Sequence, residues 1–444
     1  MMDITTFIRL ITFGLMNFLP MLTTQWSIVI LPEILETNLN VKNKSEYSFI
    51  AGYFFISFFY GRLVGTFIWP MMVKILSKKM CILISILVMG LSNALSGVGP
   101  NIFMICACRF VAGIALNIHT VGKDFLFEFC NENYRQLGLS MDSVFSLFGG
   151  LAGPFIGHYL YNSFDKDFET TCLAIAFLFF IGFILFFHVF FISYTPPLNV
   201  SHTDEEIQEM LGHHGQKIHF TDLKSVIRQC YESESIRGLM LVYGIAMAST
   251  DCDLVLSVLY LQIDWGNYGL GIDSYMISKI SLFCFFPSCL LLLASNRIVP
   301  RHIKYISYIK YVLVIFTIAV FITPLLRDII PSESHKRYNT LIYIIQCFKY
   351  TINAQIFSPY VHYLINKRAN KDIRTMMNSI NFVISTVIIV VLMNLVVPLL
   401  SISLYSPLFE QYRSYSKNIS FFIVCVLNII ALMILSHSHK HKHR

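Results

Sequence analysis

The sequence predicts an all-α integral membrane protein of twelve transmembrane helices in two pseudo-symmetric six-helix bundles, and three observations predict it. Hydrophobic residues fill 55% of the 444 positions and charged residues only 13%, about half the share of a soluble domain. Mean hydropathy is +0.63. Apolar stretches long enough to cross a hydrocarbon core of roughly 30 Å, at about 1.5 Å per residue, recur along the whole chain. They fall into two groups of six around one hydrophilic connection, as expected of two halves related by an axis along the membrane normal with a cavity between them. The chain divides accordingly into an N-terminal bundle at 1–195, a central connection at 196–236 with room for a short surface helix, a C-terminal bundle at 237–436 and a His/Lys-rich tail at 437–444.

The first span, Phe7 to Leu31, is too long for a removed signal peptide and lacks its small-residue cleavage site, so it reads as a retained helix. Asn17, Gln25 and Trp26 interrupt it, and Pro20 can bend it. The polar loop that follows holds the sequon Asn43-Lys44-Ser45, an acceptor if that side faces a secretory lumen. The second span, from Gly52, reads GYFFISFFYGRLVGTFIWPMMVKILSKK. Its Gly61 and Gly65 stand one turn apart on one face, where missing side chains let a neighbouring helix approach. Further spans follow at 80–98, 101–122, 137–161 and 171–194, and after the connection at 237–262, 275–294, 305–325, 339–364, 376–400 and 418–436. Within the connection, Thr203 and the acids behind it suit the start of a surface helix.

A formal charge of +7 could suggest a nucleic-acid partner, but the basic residues sit in short loops between spans, where they set orientation. Loops on the side of the termini hold about twice as many Lys and Arg as the opposite loops, which places both termini and the connection on the positive side. Most cysteines fall inside apolar spans and read as small core residues; Cys106 and Cys108 point to different helix faces and make no metal pair. His202, His213, His214 and His219 in the connection, with His437, His439, His441 and His443 in the tail, have the density of a metal-binding tract. The interleaved lysines favour instead an anchor to anionic lipid or a partner surface. Neither a phosphate-binding Gly-x-x-x-x-Gly-Lys loop, nor a nucleophile elbow, nor metal ligands at catalytic spacing occur, so the sequence points to no enzyme, no cofactor and no ATP drive.

Several stretches together resemble the major facilitator superfamily. The loop between the second and third spans aligns with that family's Gly-x-x-x-Asp-x-x-Gly-Arg-Lys signature, but this chain has Pro70, Lys74, Ser77, Lys78 and Lys79 there, with a base in place of the acid. Arg109, Phe110 and Gly113 in the fourth span resemble the family's Arg-x-x-x-Gly element. Gly149, Gly150, Gly153, Pro154 and Gly157 in the fifth resemble the Gly-x-x-x-Gly-Pro-x-x-Gly-Gly element of the drug:proton antiporter branch, with His158 replacing the last glycine. The seventh and eighth spans, around Asp251, Asp253 and GLGIDSYMISKISLF, look like those of its zinc-induced facilitator-like members.

The resemblance implies a secondary transporter that moves a small solute by alternating access, possibly coupled to protons. An arginine near mid-helix costs about 2.5–3.5 kcal/mol to insert unless it faces a cavity or partner, which makes Arg109 a functional candidate. Asp251 and Asp253 are about 200° apart around their helix, so only one can face a central cavity; Asp251 is preferred as proton carrier. Lys349 and Lys279 are the bases in reach of such an aspartate. The Gly149, Gly153 and Gly157 face is expected to pack against the other half, with Pro154 freeing a carbonyl for bending.

In the family, acids near the fourth and fifth spans latch onto the signature loop, and here Lys123, Asp124, Glu128 and Asp142 occupy that region. With Lys74 in the acid's place the latch cannot form in its usual sense, although Asp142 or Asp124 could pair with Lys74 in an inverted one. Conformational cycling is therefore expected to be weakened or lost, with little pH-driven flux. The alternative is a transport-inactive subunit of this fold in a larger membrane complex, for example a mitochondrial respiratory assembly, which would add membrane-protein partners to the lipid bilayer. An endomembrane or the plasma membrane fits the transporter reading, and the mitochondrial inner membrane fits the alternative.

Overall fold

The computed structural model describes residues 4–39, 41, 44–99, 101–116, 121–122, 125–126, 129–130, 132–193, 233–263, 266, 268–302, 305–329, 339–352, 361, 364–365, 374–405 and 413–440. Among these, twelve helices have 14 residues or more: α1 (Ile4–Gln25), α2 (Lys44–Ile75), α3 (Lys78–Gly97), α4 (Ile102–Ala115), α5 (Glu132–Ser163), α6 (Phe168–Phe187), α7 (Glu234–Gln262), α8 (Ser274–His302), α9 (Tyr305–Ile329), α10 (Asn339–Ile352), α11 (Arg374–Tyr405) and α12 (Asn418–Lys440). Eight of the described helices are long and apolar enough to cross a membrane, and shorter apolar helices lie at Ile102–Ala115 and Ser274–Leu290. The even number puts Ile4 and Lys440 at one end of the bundle, the near end. The expected surface helix, the histidines of the connection and the last residues of the tail lie outside the described residues.

Polar residues at the turns explain where helices begin. Side chains of Ser77, Asn101, Asp167, Ser233 and Asp273 accept hydrogen bonds from amides of the first turns of α3, α4, α6, α7 and α8. Each satisfies a donor that would otherwise be orphaned at a helix start. The Thr170 hydroxyl, joined by the amides of Thr170 and Glu169, holds the Asp167 carboxyl below its usual range. Lys78 and Lys79 stand in the first turn of α3, the end where a helix dipole disfavours positive charge.

The first span ends earlier than its hydropathy suggests. α1 stops at Gln25, the chain turns over 26–30, and a short helix runs over Leu31–Thr37. Tertiary contacts stop it: the Trp26 indole donates to Asn93 (3.3 Å) and stacks on Phe168 with ring centroids 6.2 Å apart. Pro32 then suits the opening turn of the next helix.

Helix pairing repeats between the halves. In the first, α1 packs on α5, α2 on α4 and α3 on α6; in the second, α7 packs on α11, α8 on α10 and α9 on α12. Adding six to each helix number of the first set gives the second, the internal two-fold of the fold. Two seams join the halves, α2 against α11 and α5 against α8, and the same operation exchanges them. At the far end Gln262 of α7 donates to the Val29 carbonyl in the turn after α1 (2.5 Å), so the halves touch there.

Two glycines show how closely the helices approach. A Cβ on Gly61 of α2 would overlap the Phe110 carbonyl of α4, and one on Gly113 of α4 would overlap the Phe58 carbonyl of α2. Backbone faces backbone there, so nothing can swing aside. Gly61→Ala is expected to force α2 from α4 and lower the melting temperature in detergent by several degrees; an unchanged melt would contradict this packing. Gly65 is buried on the same helix.

The glycine face of α5 packs differently from expectation. Gly149 and Gly157 abut the Phe18 and Trp26 carbonyls, and Gly153 abuts Leu22, Gln25 and Trp26, all on or just after α1 of the same half. A small-residue stripe signals close approach without naming the partner, and here the partner is α1. Pro154 lies buried within α5. The seam with α8 uses side chains instead: Leu147 and Leu151 against Ile280 and Cys284, and Phe148 against Phe285 at 4.6 Å.

Candidate functional site

Three buried cations lie in the middle of the bundle, each handled differently. Arg109 of α4 is sealed inside the N-terminal half. Its guanidinium donates to the Thr23 carbonyl (2.6 Å) and to the Ser27 hydroxyl, and lies 4.2 Å from the Phe54 ring centroid. The void beside it, lined by Trp26, Asn93 and Cys108 among others, measures about 10 Å³, at the lower limit for a single water. Arg109 thus braces α1, α2 and α4 and does not share a cavity with Asp251.

Lys349 of α10 is sealed inside the C-terminal half at 1% exposure. Its ammonium lies 3.1 Å from one Asp253 carboxylate oxygen and donates to the hydroxyls of Ser257 (2.5 Å) and Thr323 (3.2 Å). Its three donors therefore meet three acceptors on α7 and α9, the condition under which a buried ion pair is tolerated. Lys279 is not part of this set; its ammonium lies 4.0 Å from the Tyr275 ring centroid on α8.

Arg62 of α2 crosses between the halves. Its guanidinium lies 3.9 Å from Asp251 of α7 and 3.8 Å from the ring centroid of Phe382 on α11. The ion pair is longer than the roughly 2.7–2.9 Å of a tight charge-assisted bond. The exposures differ as well: the Asp251 side chain is 23% exposed and that of Arg62 7%. Among the described residues Asp251 makes no hydrogen bond, so its carboxylate is the loosely held, partly open member of the pair. Asp251 and Asp253 point to different partners, one across the seam and one into the C-terminal half, as their angular separation requires.

The sequence reading passed over Arg62. The signal was present, since an arginine in the run FFYGRLVG meets the same criterion that selected Arg109. Asp142 is buried on α5. The side chain of Lys74 and residues Lys123, Asp124 and Glu128 lie outside the described residues, and the expected charge cluster at the signature loop lies there with them.

The sequence profile described as Major Facilitator Superfamily matches residues 13–393. The chain belongs to the major facilitator superfamily. Similar curated proteins include Protein ZINC INDUCED FACILITATOR 1 of Arabidopsis thaliana, 26% identical over 125 residues, which are 28% of this chain and 26% of that protein. Protein ZINC INDUCED FACILITATOR-LIKE 1 of the same plant is 29% identical over 149 residues, 30% of this chain and 31% of that one. These matches span only about a quarter to a third of the relatives' length.

Solved structures with the same fold include a D-xylose-proton symporter, at TM-score 0.68 and 12% identity over 97% of both chains. The POT family transporter PepTSo gives 0.69 and 11% over 97% of both. A major facilitator chain of this kind is a multi-pass integral membrane protein, and the Arg62–Asp251 contact lies where its two halves meet.

Proposed function

We propose that this chain is a secondary transporter, not an enzyme, that moves a small solute by alternating access with Asp251 as its proton-carrying residue. The bundles at 1–195 and 237–436 are the moving bodies, joined by 196–236, and the near end is the positive, cytoplasmic-type side. One observation supports the reading above others: the loose Arg62–Asp251 contact joins the halves at mid-membrane, with its acid partly open. Protonating Asp251 removes the attraction between the halves at that level, and losing the proton restores it. The site thus has different interaction energy in its two states, which any ligand-driven change requires. The Lys349–Asp253 set is satisfied within one half and travels with it as a brace. Of the two alternatives, the transporter is favoured over the silent subunit by family membership.

Proteoliposomes holding a trapped pH dye test this. Addition of small-metabolite mixtures is expected to give a slow, solute-dependent proton flux, and a signal equal to that of empty liposomes across all mixtures would contradict it. The slowness is attributed to Lys74. Lys74→Asp restores the acid of the family pattern beside Lys78 and Lys79 and is expected to raise that flux several-fold; a rate unchanged or lowered would contradict the attribution.

A further inference from the structure

At the far end of the α5–α8 seam a cavity of about 230 Å³ opens between the halves, lined by Phe155, His158, Tyr159, Asn162 and Ser163 of α5 and by Tyr275 of α8. Among the described residues no charged side chain lines it. Of the charges nearby, Lys166 pairs with Glu33 (3.7 Å), Asp273 caps α8 by accepting from the Met276 amide (2.9 Å), and the Lys279 ammonium lies on the Tyr275 ring, 4.0 Å from its centroid.

His158 is the residue that stands in place of the last glycine of the α5 motif. It is buried at 6% exposure, and its Nε2 lies 2.7 Å from the Asn162 amide nitrogen. Since that nitrogen donates, the neutral imidazole carries its hydrogen on Nδ1. Nδ1 has no partner, and a buried donor left unpaired costs about 1–3 kcal/mol. Phe155 and Tyr159 stack 15° from parallel with ring centroids 6.3 Å apart, and the Tyr275 ring lies 5.6 Å from the imidazole, tilted by 33°.

Aromatic rings beside neutral groups that both donate and accept match a ring bearing several hydroxyls. Each hydroxyl can answer either kind of partner, and the C–H face of the ring can lie on an aromatic wall. Among the described lining residues a charged ligand would find no counter-charge to offset its desolvation. We propose that this cavity binds a neutral, hydroxyl-rich ring the size of one sugar, supplied either as a free solute or as the headgroup of a membrane glycoside. Since the walls come from both halves, the site is whole only while the far end is closed, a point that rests on the alternating-access reading.

The test is direct binding to the full chain in lipid nanodiscs, read by saturation-transfer NMR, with methyl β-glucoside as the free probe and octyl β-glucoside as the membrane-partitioning one. Saturable binding is expected for at least one. It should weaken about tenfold in His158→Gly and in Tyr275→Ala and persist in His158→Asn, which keeps a donor. Tyr275 is 47% exposed, so its truncation leaves the core intact. Binding of octyl β-glucoside alone would assign a membrane glycoside, and binding of the methyl probe would assign a free sugar. The proposal is overturned if neither probe binds above empty nanodiscs, or if both weakening variants bind like the parent chain. Binding is read without transport, so failure of the transporter reading would leave this result standing.

Discussion

Replacing Asp251 by asparagine is expected to reduce solute-dependent proton flux at least about tenfold, to the level of empty liposomes. The amide keeps the shape of the carboxyl but can neither carry a proton nor attract Arg62 as a charge. Arg62 still lies on Phe382, and an arginine–aromatic contact is worth about 0.5–2 kcal/mol. The halves therefore stay associated, and the loss should appear in coupling rather than in folding. A thermal melt near that of the parent chain, together with lost proton flux, is the expected pair of results. Proton flux retained in Asp251→Asn would remove this residue from the mechanism.

The largest effect on stability is expected at Lys349. Removing one partner of a buried pair leaves the other charge uncompensated, at about 3–5 kcal/mol. Lys349→Ala strands Asp253 between α7 and α10, with only the Ser257 hydroxyl within hydrogen-bonding distance among its described neighbours. The variant should melt far below the parent chain or fail to accumulate as folded protein. In Lys349→Met combined with Asp253→Leu both charges are gone and the space is refilled, so most of the loss should be recovered. Equal melts for the single and double variants would show that the pair contributes nothing as a pair. Two acids two residues apart on one helix are thus given opposite tasks by what faces them.

Much of this was legible in the sequence for physical reasons. A bilayer demands about twenty apolar residues per crossing, so the spans and their two groups of six could be counted. The separation of Asp251 and Asp253 followed from helix geometry, and Lys349 was among the bases in reach. What could not be read depended on contacts remote in sequence. α1 ends at Gln25 because of Asn93 and Phe168, neither of which leaves a mark near residue 25. The Gly149, Gly153 and Gly157 face announced a close neighbour, but α1 and α8 both flank α5 and the stripe cannot choose between them. Arg62 was legible and overlooked, since the glycines around it drew the reading toward packing. Arg109 was identified as an interior cation, but whether it meets Asp251 or α1 is a matter of helix rotation in three dimensions.

The central claim is that the halves move relative to one another and that the charge on Asp251 governs the motion. Spin labels at Phe103→Cys of α4 and Ile329→Cys of α9, positions 80% and 60% exposed near the far end of opposite halves, report it without a known solute. In a background lacking the eleven native cysteines, double electron–electron resonance should show two label distances whose proportions shift with pH, and Asp251→Asn should fix that proportion at every pH. A single distance unaffected by pH, or a pH shift that persists in Asp251→Asn, would contradict the account.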